Sequence, residues 1–78
     1  MYYAYVLRSL STGFLYKGST QDLAARVAAH NSGFSPYTKG RGPWELVYSE
    51  EFPTRGEAIQ REKYFKSSEG RKWLKVKF

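Results

Sequence analysis

Glu62 is a carboxylate in an awkward place. A helix turns about 100° per residue, and on that spacing Ala58, Ile59 and Phe65 mark one apolar stripe with Glu62 inside it. Burial strips an ionised group of its hydration, so it must be paired or must coordinate a cation. A metal ligand and a glutamate satisfied by an arginine or a tyrosine hydroxyl are both open, and the second is the plainer. Upstream, Leu23 and Val27 define another stripe, and Arg26 and His30 lie i, i+4 along its flank, where the two could meet one ligand. Taken singly, Arg26 could pair with Asp22 and His30 could serve the last carbonyls of its helix. Among seven tyrosines, Tyr16 differs by its neighbours: it stands just before this helix and close to Gly18, where backbone can let a ligand approach. Packing with a hydrogen-bonded hydroxyl accounts for most tyrosines in strands.

The elements that must position these groups follow from pattern. Residues 2 to 8 and 14 to 18 are aromatic and β-favouring, joined by Ser9-Leu10-Ser11-Thr12-Gly13, which reads as a hairpin. In the first run Tyr3, Tyr5 and Leu7 fall on one face and Tyr2, Ala4 and Val6 on the other, so a central strand covered on both sides is expected. Thr20 is the expected N-cap of a helix over Leu23 to His30 that Asn31-Ser32-Gly33 ends. Residues 34 to 43 read as a basic loop with Lys39 and Arg41. A third strand is expected at Trp44 to Ser49, with Trp44, Leu46 and Tyr48 alternating against Glu45, Val47 and Ser49. Thr54-Arg55-Gly56-Glu57 has the form of a capping box opening a helix to about residue 67, which accounts for Glu57. Ser67-Ser68-Glu69-Gly70 should break it before a last short helix over Arg71 to Val76, anchored by Trp73 and Leu74. The fold class is α/β of the α+β kind: a small three-stranded, mainly antiparallel sheet flanked by helices, in the order β-β-α-β-α-α, one domain over residues 1–78.

A chain of 78 residues buries only about 60% of the surface its unfolded form exposes, so the core is thin. With no cysteine and one histidine, disulfides and thiolate or histidine-rich metal clusters are excluded, and any metal must be oxygen-ligated. The net charge of +6 favours a polyanionic partner. No run resembles a signal peptide or spans a bilayer, so no membrane role and a cytoplasmic setting are expected.

Taken together, these elements resemble the GIY-YIG nuclease superfamily, specifically its small single-domain members, over nearly the whole chain. Tyr3-Ala4-Tyr5-Val6-Leu7 resembles the GIY strand, with Tyr5 at its tyrosine, and Tyr16-Lys17-Gly18 resembles YIG. Asp22 to Gly33 resembles the arginine helix, with Arg26 and His30 at its functional positions, and Glu57 to Glu62 resembles the glutamate helix, with Glu62 as metal holder. Tyr3 replaces a glycine, Lys17 replaces an aliphatic residue, and Ser19 stands where repair-type members carry a lysine. Strand alternation should turn Lys17 away from Tyr16.

The resemblance implies metal-dependent hydrolysis of a nucleic-acid phosphodiester, with DNA the expected substrate. Glu62 would hold one Mg²⁺ or Mn²⁺, Arg26 would clamp the phosphate, and Tyr16 would act as general base with Tyr5 and His30 positioning or relaying the proton. A free tyrosine is only about one part in a thousand phenolate at pH 7, so neighbouring positive charge is needed. Lys39, Arg41, Lys63 and Lys66, with Arg71, Lys72 and Lys75, are candidate phosphate contacts, each of which could equally be a solvated surface charge. No base-reading element or targeting domain is evident, so structure-selective or weakly specific binding, or targeting by a protein partner, is expected of a monomer. The alternative is a non-cleaving nucleic-acid-binding module on the same fold.

Overall fold

The computed structural model describes residues 1–33 and 38–78, in the order β1 (Tyr2–Ser9), β2 (Leu15–Thr20), α1 (Leu23–Asn31), β3 (Trp44–Phe52), α2 (Arg55–Lys66) and α3 (Ser68–Lys77). Part of the expected basic loop, residues 34–37, lies outside the described residues. The strands form one antiparallel sheet in the order β2-β1-β3, so the most apolar strand is central, as its two-faced pattern requires.

Each face of β1 founds its own core. Ala4 and Val6 pack with Phe65 of α2 and Leu74 of α3, joined by Tyr48, Phe52 and Trp73. Tyr5 and Leu7 pack with Trp44 on the other face, closed by Tyr16, Leu23 and Val27. The sheet is thus sandwiched between α1 and the pair α2–α3.

Four local expectations are corrected. Asp22, not Thr20, caps α1: its side chain accepts from the Ala25 amide at 3.1 Å, while Thr20 closes β2 and its hydroxyl accepts from the Asp22 amide at 3.2 Å. The second strand starts at Leu15 rather than Phe14, which is exposed, and it runs on to Thr20.

In β3, Val6 pairs with Tyr48 but Leu7 with Leu46, a bulge that inserts one residue. The insertion reverses the alternation, so Trp44 packs on the α1 face while Tyr48 packs on the α2–α3 face.

Gly70 does not break a helix; it lies inside α3. Ser67 ends α2 and caps α3, accepting from the Gly70 amide at 3.1 Å. A Cβ at Gly70 would collide with the Tyr64 carbonyl and come within 2.8 Å of Phe65 Cα, so this glycine permits the tight joint between the two helices.

The capping box at Thr54 holds, with its hydroxyl accepting from the Glu57 amide at 3.3 Å. Arg61 then fixes the rotation of α2. Its Nε donates to Glu50 Oε1 of β3 at 2.7 Å and its Nη2 to Oε2 at 3.2 Å, while its guanidinium lies 4.6 Å from the Tyr64 ring centroid. With Arg61 tied to β3, the next residue, Glu62, is turned towards another flank of the helix.

Candidate active site

Tyr5, Tyr16, Arg26 and His30 come together on the α1 face of the sheet. Strand register sets the tyrosines: Tyr16 lies opposite Leu7, one step along the same face as Tyr5, which lies opposite Gly18. The Tyr5 ring lies across Gly18, with its hydroxyl 2.5 Å from where a Cβ would sit. The space above that glycine is therefore filled by Tyr5 and is not open to a ligand as its sequence context suggests. The ring centroids of Tyr16 and His30 are 4.7 Å apart, and those of Tyr5 and Tyr16 are 6.4 Å apart.

His30 is turned inward from the end of α1 and is 2% exposed. Its Nε2 lies 3.1 Å from the Tyr5 hydroxyl and its Nδ1 lies 2.9 Å from Thr38 Oγ1, so both ring nitrogens are engaged. Burial, then the charge of Arg26, pushes its pKa below the usual histidine value and keeps the ring neutral near pH 7. A neutral imidazole has one donor and one acceptor nitrogen, so of the Thr38 and Tyr5 hydroxyls one donates to the ring and the other accepts from it.

Arg26 lies beside the two tyrosines, close enough that both raise its pKa above the usual arginine value, while Asp22 is used as the helix cap. Burial raises the Tyr5 pKa above that of an ordinary phenol, and the neighbouring Arg26 guanidinium offsets part of the rise. Tyr5 thus stays protonated around neutrality. Tyr5 and His30 are buried, whereas Tyr16 and Arg26 are partly exposed. The cluster has a front that a substrate can touch and a back that it cannot.

Glu62 approaches from the opposite face of the sheet, near enough for its charge to help hold Tyr5 protonated. Its side chain is 21% exposed, and Oε2 accepts from Lys66 Nζ at 2.7 Å, one turn along α2. The partner is thus a surface lysine, neither the arginine nor the tyrosine hydroxyl that the helix pattern left open. Among the described residues no three His, Cys, Asp or Glu side chains cluster into a metal cage. A single carboxylate whose second oxygen has no hydrogen bond among the described residues suits a hard cation that keeps most of its waters. The donor set therefore fits Mg²⁺ or Mn²⁺.

The candidate binding residues are dispersed. Lys39 borders a pocket with His30 and Thr38 beside the site. Arg41 contributes its carbonyl, which accepts from Ser9 Oγ at 2.5 Å and ties the loop to the β1–β2 turn. Lys63 is exposed on α2, and Lys66 is engaged with Glu62.

Sequence reasoning passes over three supports. Thr38 holds His30; Asn31 exchanges two hydrogen bonds with the Trp44 backbone, at 2.7 and 3.0 Å; and Trp44 Nε1 donates to the Thr38 carbonyl at 3.1 Å. Together they fix the end of α1 to the start of β3. The available signal was Asn31, an amide at a helix end with a donor and an acceptor to place.

The family model of the GIY-YIG catalytic domain matches residues 1–75. A UPF0213 protein of Clostridium perfringens is 46% identical over 67 residues, covering 85% of this chain and 71% of its own length. A UPF0213 protein of Staphylococcus saprophyticus is 40% identical over 76 residues, covering 96% of this chain and 92% of its own length. The solution NMR structure of a UPF0213 protein from Bacillus halodurans superposes with a TM-score of 0.56 at 36% identity, covering 97% of this chain and 84% of that one. Among the described residues no helix is long and apolar enough to cross a membrane.

Proposed function

Since the chain belongs to the GIY-YIG catalytic domain family, we propose that it is a metal-dependent endonuclease that hydrolyses DNA phosphodiesters with weak or structure-based selectivity. The observation that carries this reading is the graded cluster: partly exposed Tyr16 and Arg26 in front of a buried, neutral Tyr5–His30 pair, with the Glu62 carboxylate near enough for its charge to act on Tyr5.

Each residue then has a task set by its depth. Arg26, always charged, forks onto the scissile phosphate and opposes the charge that grows on its oxygens. Tyr16 takes the proton from the attacking water. A neutral His30 behind it, in ring contact with Tyr16 and bonded to Tyr5, can take up that charge without a change of fold. Glu62 would hold a divalent cation, releasing Lys66, and the ion would supply Lewis-acid stabilisation of the leaving oxygen.

The pairing of Glu62 with Lys66 also suits the second reading, a binder that does not cut, because the lysine competes with a cation for the carboxylate. Cleavage of labelled single-stranded, duplex and branched DNA with Mg²⁺ or Mn²⁺ separates the two. Wild type should cut, with a rate that rises as the solution is made alkaline, and Glu62→Gln and Tyr16→Phe should bind without cutting. Salt-dependent binding without turnover in all three proteins would establish the binder instead.

A further inference from the structure

Lys17 is the residue of the YIG-like segment that the catalytic reading leaves without a task. Strand alternation turns it away from Tyr16, onto the α2–α3 side of the edge strand β2. There it borders a groove of about 340 Å³ together with Arg8, Arg71 and Lys75. The remaining walls are apolar: Leu15, Leu74 and Phe78, the last 41% exposed. None of the lining side chains is acidic, and Glu45 pairs with only one of the four cations, Arg8. Burial, followed by the charges of Arg71 and Lys66, pushes the Lys17 pKa below the usual lysine value. Positive charge has been gathered and partly desolvated here, and an anion would relieve both costs. Lys66 links the groove to the site, since it neighbours Lys17 and is bonded to Glu62.

Granted the nuclease reading above, we infer that this groove holds an unpaired stretch of the substrate strand, its phosphates on Lys17, Arg71 and Lys75 and a base against Phe78 and Leu15, as it leaves the scissile phosphate at Glu62. A duplex keeps its bases stacked inside and would offer the apolar floor nothing to cover. A single strand offers phosphates and exposed base faces together, which is the combination of cations and aromatic or aliphatic surface found here. The substrate class is therefore nucleic acid with a single-stranded segment beside the cut, such as a flap or a free strand.

Fluorescence anisotropy in chelator, where cutting is suppressed, tests this with a labelled DNA 20-mer, the same sequence as RNA, its duplex, and polyglutamate as a competitor. Lys17→Gln/Arg71→Gln should weaken single-strand binding about tenfold and flatten the salt dependence by about 1.4, roughly 0.7 per lost phosphate contact. The control pair Arg55→Gln/Lys77→Gln removes the same charge from two exposed positions outside the groove and should cost threefold or less. Phe78→Ala should reduce the preference for single strand over duplex by about tenfold. The DNA and RNA arms show which strand the groove prefers, and tighter binding of either than of duplex supports the inference. It is overturned if the groove pair behaves like the control pair, if duplex binds as tightly as single strand, or if polyglutamate competes as well as the oligonucleotide. If wild type cuts DNA while the groove pair matches the control, the nuclease reading stands and the groove assignment falls; if wild type neither cuts nor binds, both fall.

Discussion

Gly18→Ala tests the geometry of the site at its tightest point. A Cβ at residue 18 would lie 2.5 Å from the Tyr5 hydroxyl, 2.7 Å from Cζ and 3.1 Å from Cε1. Ordinary contact requires the ring tip to retreat by about 1 Å. Tyr5 is 1% exposed and packed between β1, β2 and α1, so no free volume absorbs the shift. The movement would stretch its 3.1 Å contact with His30 Nε2 beyond hydrogen-bond range. Overpacking costs about 1–3 kcal/mol and the broken buried bond about 1 kcal/mol more, so about 2–4 kcal/mol is expected. In a domain this small that lowers Tm by about 10–25 °C. Urea denaturation of a double-mutant cycle isolates the cause. Gly18→Ala should cost about 2 kcal/mol or more beside Tyr5 and under about 1 kcal/mol in a Tyr5→Leu background, where no ring overlies residue 18. Equal costs in the two backgrounds would refute the placement of Tyr5 over Gly18. Where Gly18→Ala remains folded, its cleavage rate should fall about a hundredfold, the scale expected when a catalytic group is misplaced by an ångström.

Three further outcomes are expected. Gly70→Ala should cost about 3 kcal/mol in thermal or chemical denaturation, because the added methyl meets backbone that cannot rotate away, whereas Gly56→Ala, with nothing within 4 Å of the new Cβ, should be neutral or stabilising. Thr38→Val should cost about 1–2 kcal/mol by stranding His30 Nδ1, and should lower kcat more than it raises KM if the imidazole tautomer matters to turnover. Stability should fall in two steps on acidification. His30 has a lowered folded pKa, so its contribution is complete above the unfolded value of about 6.5 and is lost as pH drops below it. For Glu50, burial acts to raise the pKa, but the hydrogen bonds from Arg61 and Tyr48 more than offset it and leave the carboxyl lowered. Its contribution is present above about pH 4.5 and lost as pH falls through the folded pKa, and Arg61→Met should remove that second step from a pH series of urea midpoints.

Period and spacing made much of this fold legible. The two-faced pattern of residues 2 to 8 indicates a central strand, and Tyr2–Ser9 is that strand. The capping box at Thr54 opens α2 where expected. What went unread depends on contacts between segments distant in sequence. The bulge in β3 leaves no mark on local alternation, yet one inserted residue exchanges the faces on which Trp44 and Tyr48 pack. Gly70 reads as a breaker because a glycine that stops a helix and one that admits a neighbouring backbone look alike until the neighbour, here Tyr64, is known. Thr20 and Asp22 are equally good caps by type, and the turn uses both, one for each amide.

The candidate site divides along the same line. Its members are visible as spacings, Arg26 with His30 on α1 and Glu62 on the stripe of α2, because a single helix fixes which side chains share a side. Their depth is not visible. Tyr5 and Tyr16 are the same residue type in adjacent strands, but Tyr5 lies beneath α1 across Gly18 and Tyr16 stands at the rim with Arg26. That difference is made by the sheet register and by the Asn31–Trp44–Thr38 tie that seats His30. On the proposed nuclease reading, Tyr16 and Arg26 would meet the substrate while Tyr5 and His30 would support them. Cleavage by Tyr5→Phe should therefore retain substrate affinity while losing rate, whereas Arg26→Lys should lose both, since a point charge cannot replace the two-pronged hold on a phosphate.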